Sequence, residues 1–168
     1  MRGPRRQSHV WRGALAGLVG GLVAAGAMSL AHTGLGALGR SADTPAPAKQ
    51  EDDATVKVAD GAMRRLMGRA LAEDEKATAG TAVHYGFGGS VGALYGGIAE
   101  LVPRVTTGIG VPFGLAVWLG AHVMTVPALG LAEPPTRRPM AKEAPELVLH
   151  VVYGLVTELV RRLLAGRA

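Results

Sequence analysis

The sequence predicts an all-α integral membrane protein: a four-helix bundle with an amphipathic helix in the loop between helices one and two. Three observations predict it. Apolar runs long enough to cross a bilayer, which takes roughly 20 residues, recur along the 168-residue chain. Charged residues are only 18% of it and hydrophobic ones 48%, where a soluble domain is nearer a quarter charged; mean hydropathy is +0.23. The 25 glycines sit inside apolar runs, where small residues let spanning helices approach closely.

Residues 1–40 form a basic N-terminus and the first spanning helix. Arg2, Arg5, Arg6 and Arg12 precede a run with no formal charge before Arg40. Gly13 to Leu35 is long enough to span. A cleavable signal peptide is the rival reading, with Ala24, Ala25, Gly26 and Ala27 as its small residues. The run continues past that site to Leu38, so a retained helix is expected. Residues 41–79 are the polar loop. Thr44-Pro45-Ala46-Pro47 reads as an extended linker. Asp52 or Asp53 then starts a helix in which Ala59, Ala62, Met63, Leu66, Met67, Ala70 and Leu71 make an apolar stripe. Lys57, Asp60, Arg64, Arg65 and Arg69 take the other face. Such a helix suits the membrane interface or the mouth of the bundle.

Residues 80–168 supply a core of three spanning helices. Gly80 to Val102 is the second segment, Pro103-Arg104 a short turn, and Val105 to Leu131 the third. Glu133, Pro134 and Pro135 open a Pro-rich connection ending at Pro145. Glu146 to Leu164 is the fourth, closed by Arg161 and Arg162. Lys and Arg divide eight on the side of the termini and ten on the other, so the count alone does not orient the chain. The first helix usually dominates and its basic residues all precede it, which predicts both termini cytoplasmic.

Several function classes drop out. With no cysteine, disulfides, thiolate metal sites and Cys nucleophiles are excluded. The net charge of +5 comes mainly from arginines near the chain ends, without the basic–aromatic interleaving of a base-stacking surface, so no nucleic-acid partner is expected. No nucleophile–base pair or phosphate loop is visible, and an enzyme is the less favoured reading.

Inside a bilayer, close backbone packing holds helices together. Gly13, Gly17 and Gly21, then Gly88, Gly92 and Gly96, then Gly110 and Gly114 recur every fourth residue. Each set makes a flat stripe, expected to pack within the chain, with homodimerisation as the alternative. Intramembrane ionisable groups are expensive and so mark function. His122 lies deepest, with Pro127 expected to kink its helix. Glu146, His150 and Glu158 share one stripe of the last helix. His84 and Glu100 sit at opposite ends of the second. A shared polar site built from His122, His150, Glu146 or Glu158, and His84, would relay protons or hold a ligand. No cofactor is predicted outright; a divalent metal, or a haem held by His122 and His150, is the alternative.

These residues resemble a known family, the YagU-type bacterial inner-membrane proteins of unknown function. The resemblance covers about Gly80 to Arg162. It rests on His84 with Ala99-Glu100-Leu101-Val102-Pro103, on His122-Val123-Met124-Thr125-Val126-Pro127 with Gly130-Leu131 and Pro134-Pro135, and on Glu146, His150 and Glu158 with Arg161-Arg162. Tyr153 departs from a pattern richer there in Trp and Phe. The resemblance implies a helical bundle in the bacterial inner membrane and adds weight to His84, Glu100, Pro127, His150 and Glu158; it suggests a link to acid tolerance. The expected function is therefore a small, proton-responsive inner-membrane protein. A metal- or haem-binding redox protein, and an assembly partner of another membrane protein, are the alternatives.

Overall fold

Long runs rich in Ala, Leu, Val and Gly form helices, and the computed structural model is mostly helical in the residues that it describes. It describes residues 4–38, 52–131 and 140–166. In chain order these are α1 (Pro4–Leu38), α2 (Ala54–Met67), α3 (Glu73–Leu101), α4 (Val111–Ala128) and α5 (Met140–Ala165). A 3-10 turn, Pro103–Thr106, joins α3 to α4. No strand occurs among the described residues. The expected linker at Thr44-Pro45-Ala46-Pro47 and the connection at Glu133, Pro134 and Pro135 lie outside them.

Three boundaries differ from expectation. The α3 helix starts at Glu73, not Gly80, because Glu73, Asp74 and Glu75 crowd its first turn, where acidic side chains suit the helix dipole. Glu75 also accepts the Ala72 amide at 2.8 Å, satisfying one free N–H. The α5 helix starts at Met140, not Glu146, and carries Pro145 inside it. Proline reads as a stop in sequence, but so near the start it removes only one hydrogen bond. The α2 helix ends at Met67, where Gly68 adopts a left-handed φ of 70° and returns its N–H to Arg64. The apolar stripe expected through Leu71 therefore divides. Leu71 is buried, while Leu66 and Met67 are exposed. Val56 of α2 sits against Gly80 of α3, and Lys57 Nζ donates to the Leu131 carbonyl at 2.9 Å.

Among the described residues two helices are long and apolar enough to cross a membrane: α1 over His9–Leu35 and α4 over Val111–Ala128. Four such segments were expected. The other two, α3 and α5, are long but less apolar. Glycine dilutes α3, and Glu143, Glu146, Glu158, Arg161 and Arg162 dilute α5.

Contacts fix the directions. Gly13, Gly17 and Gly21 of α1 lie on Gly96, Gly92 and Gly88 of α3, so these helices run antiparallel. A Cβ added to Gly17 would collide with the Gly92 carbonyl, and one on Gly92 would lie 2.8 Å from Gly21 Cα. The backbones touch, which only glycine permits. Across the second seam, Gly110 meets Gly154 and Gly114 meets the His150 carbonyl, placing α4 antiparallel to α5. Gly20 rests on Thr157 of α5. The α5 helix thus lies between the α1–α3 pair and α4. Both the start of α1 and the end of α5 lie at one end, with the 3-10 turn; α2 lies at the other.

The α4 helix is not uniform. Trp118–Thr125 is wound as a π-helix between α-helical Val111–Val117 and Val126–Ala128. The Val126 amide reaches back five residues to Ala121, and Thr125 Oγ1 donates to Gly120, also five back, at 2.6 Å. The next donor would be residue 127, which is proline. Its ring clashes with the carbonyl four residues back in a regular helix, and the wider turn relieves that clash. Where the sequence led one to expect a kink at Pro127, the structure has a widened helix just before it.

Candidate functional site: two buried polar clusters

Positions 154, 157, 158 and 161 share one face of α5, by the i, i+3, i+4, i+7 rule, and all four are buried. That face carries Glu158 into the protein with 0% exposure. A buried carboxylate is costly unless its lone pairs are filled, and here they are. Glu158 accepts from Tyr95 Oη at 2.9 Å, Arg161 Nε at 2.7 Å, Arg161 Nη2 at 3.0 Å and Arg162 Nε at 2.5 Å. The arginines then reach outward. Arg161 Nη1 lies 3.6 Å from Glu100, and Arg162 Nη2 donates to the Thr106 carbonyl at 3.1 Å. One carboxylate thereby ties α5 to α3 and to the 3-10 turn.

A stack of rings lies above this cluster. Tyr95 and Phe113 stack at 4.0 Å, and Phe113 meets Tyr153 at 5.8 Å. Tyr153 Oη donates to the Gly88 carbonyl at 2.6 Å.

The second cluster lies beyond the rings, toward the α2 end. His122 Nε2 is 3.1 Å from Glu143 Oε2, and the His122 and His150 rings are 5.9 Å apart. His150 Nδ1 lies 2.7 Å from the Glu146 carbonyl. A carbonyl only accepts, so Nδ1 holds the proton and Nε2 is left as the acceptor of the neutral ring. By the same reasoning His84 donates from Nε2 to the Ala25 carbonyl at 3.2 Å. Trp118 stacks over His122 at 6.4 Å, and its buried Nε1 finds no acceptor among the described residues. The chemistry available here is proton exchange between imidazoles and a carboxylate.

The one shared site expected from sequence is thus two. Glu158 and Glu100 belong to the first cluster, His122 and His150 to the second. His84 bonds to α1 at the edge of the second cluster, and Glu146 contributes its carbonyl to His150. Sequence reasoning missed Tyr95, Glu143, Arg161 and Arg162 as partners. A signal existed for the arginines, which follow Glu158 by three and four residues, the helical spacing for an ion pair. Among the described residues no three of His, Asp and Glu group to hold a metal ion. A haem between His122 and His150 would have to part helices whose backbones touch at Gly114 and His150.

The turn between α2 and α3 is tied by a bidentate pair. Arg69 Nη1 and Nη2 donate to Glu75 at 2.7 and 2.8 Å. That guanidinium, and secondarily the Ala72 amide, pull the Glu75 carboxyl down from 4.5 to about 2.

A family described as "Protein of unknown function (DUF1440)" matches residues 64–159, more than half of the chain. No curated protein and no solved structure matches.

Proposed function

The chain belongs to the DUF1440 family, and from that premise we propose that it is a multi-pass, YagU-type protein of the bacterial inner membrane, a four-helix bundle that responds to protons. The observation that carries the proton reading is the His122–Glu143–His150 cluster. His122 stands 3.1 Å from a carboxylate and 5.9 Å from a second imidazole, on a widened stretch of helix. Such π-turns recur at functional sites.

Several features support the membrane reading. Two helices are long and apolar enough to span. Leu22, Leu30, Leu94, Leu115, Leu119, Leu159 and Leu163 turn outward, where lipid would cover them. Helices held by glycine backbones suit a medium in which apolar side chains gain nothing by leaving lipid. Arg12, Arg104, Arg161 and Arg162 gather at the end that holds both termini, the cytoplasmic end by the positive-inside rule. The amphipathic α2 then covers the opposite mouth.

Imidazole charges between about pH 5 and 8. The groups facing this pair are Glu143 and Glu146 from α5 and His84 from α3. Protons on both rings set two cations about 6 Å apart, which repel by about 3 kcal/mol at an effective dielectric near 20. That repulsion loosens α4 from α5 on the acid side. The test places a spin label on each of α4 and α5 in reconstituted protein and follows their separation from pH 8 to pH 5. The distance should grow in wild type and stay constant in His122→Ala and His150→Ala. A wild-type distance that ignores pH sinks the proposal.

A further inference from the structure

At the end that holds both termini, α1 and α5 part to leave a groove of about 350 Å³, within the roughly 300–1,000 Å³ range of ligand pockets. Its lining is graded. His9, Arg12 and Glu100 supply its polar lining, and Leu15, Val19 and Leu164 make the apolar remainder. Gly13 opens the wall: Glu100 Oε1 lies 3.0 Å from where a Cβ on Gly13 would stand. Arg12 is exposed and makes no hydrogen bond or ion pair among the described residues. From His9 to Val19 the groove follows ten residues of helix, about 15 Å, or one leaflet of a hydrocarbon core about 30 Å thick.

We infer that this groove binds a phospholipid with a primary-amine zwitterionic headgroup, of the phosphatidylethanolamine class. The phosphate meets Arg12 and His9, the ammonium donates to Glu100, and one acyl chain lies along Leu15 and Val19. Charge complementarity selects this occupant. A cation and a carboxylate that line one groove match a zwitterion, whereas a purely anionic headgroup brings no cation to Glu100. A choline headgroup has no N–H to donate. The inference rests on the membrane reading above and adds to it a ligand class and a site.

The test uses full-length protein, delipidated in detergent, with binding of phosphatidylethanolamine, phosphatidylcholine and phosphatidylglycerol followed by native mass spectrometry. Ethanolamine lipid should bind about tenfold more tightly than choline lipid, the ratio one charge-assisted hydrogen bond supplies. Glu100→Gln should remove that preference and Arg12→Gln should weaken all three lipids. Because Glu100 also faces Arg161, the melting temperature of each variant is measured alongside; Arg12→Gln touches no internal pair and stays informative if Glu100→Gln unfolds. Equal affinity for the three lipids, or a preference for phosphatidylglycerol, overturns the inference. Alkaline carbonate extraction of cell membranes separates the two ideas. Protein released into the soluble fraction refutes the membrane reading itself, whereas protein that stays in the pellet and shows no headgroup preference refutes only the lipid site.

Discussion

The two polar clusters occupy opposite ends of the same helix, α5, and are built to different standards. Glu158 has no exposure and four donors, and both of its arginines are anchored again, at Glu100 and Thr106. Among the described residues His122 has one hydrogen bond, an imidazole neighbour, and a Trp118 N–H buried without an acceptor. A fully satisfied network rigidifies, while a partly satisfied one has alternatives of nearly equal energy. The first cluster is a lock on the helix ends. The second has the looser construction a switch requires, and it sits where α4 already departs from regular helix.

That contrast yields ordered expectations. The largest effect belongs to Glu158→Ala, which strands two guanidinium groups beneath Tyr95. Breaking one side of a buried pair costs about 3–5 kcal/mol, so thermal melts in detergent should fall by many degrees; a wild-type melt would remove the lock from the comparison. Next comes the glycine seam. Gly92→Ala forces a methyl into the backbone of α1, an overpacking cost of about 1–3 kcal/mol. Gly86→Ala, on the same helix with nothing within 4 Å of the added atom, should be neutral or gain up to about 1 kcal/mol from helix propensity. Equal responses from Gly92 and Gly86 would refute the seam. A smaller effect is expected from His122→Ala at pH 8, about 1 kcal/mol for a single hydrogen bond. A loss as large as that of Glu158→Ala would erase the difference between the clusters. The smallest effect lies outside both. The Glu75 carboxyl is depressed in the folded chain, so its pairing with Arg69 contributes fully above pH 4.5 and is lost as pH falls toward about 2. Amide exchange at the α2–α3 turn should quicken over that window relative to its behaviour in Glu75→Gln; identical profiles would deny the pair any part in holding the turn.

Much of the packing was legible in the sequence because glycine at every fourth position makes a stripe whatever the rotation of the helix. Gly13, Gly17 and Gly21 could therefore be named as a contact face before their partners were known. The polar sites were legible only as an inventory. His122, His150, Glu100 and Glu158 stood out as ionisable groups in apolar runs, but which of them meet depends on helix rotation and axial register, which spacing does not supply. Glu143 was invisible for a different reason. It lies two residues before Pro145, in a stretch that proline makes read as a connection, and only the earlier start of α5 carries it to His122. Tyr95 was hidden because an aromatic ring in a long, glycine-rich helix gives no sign of which way its hydroxyl points.

The glycine ladder between α1 and α3 has one further property. Its rungs are identical, so sliding one helix by four residues, about 6 Å, would seat two of the three pairs again with almost the same fit. A rack with equal notches does not by itself say which notch is correct. The unequal parts of the molecule make that choice: Tyr153 on the Gly88 carbonyl, His84 on the Ala25 carbonyl, and Gly20 under Thr157. Each is satisfied at one setting alone. The smooth seam leaves the setting of α1 against α3 open. The few hydrogen bonds that cross between helices then act as the pin that stops the slide.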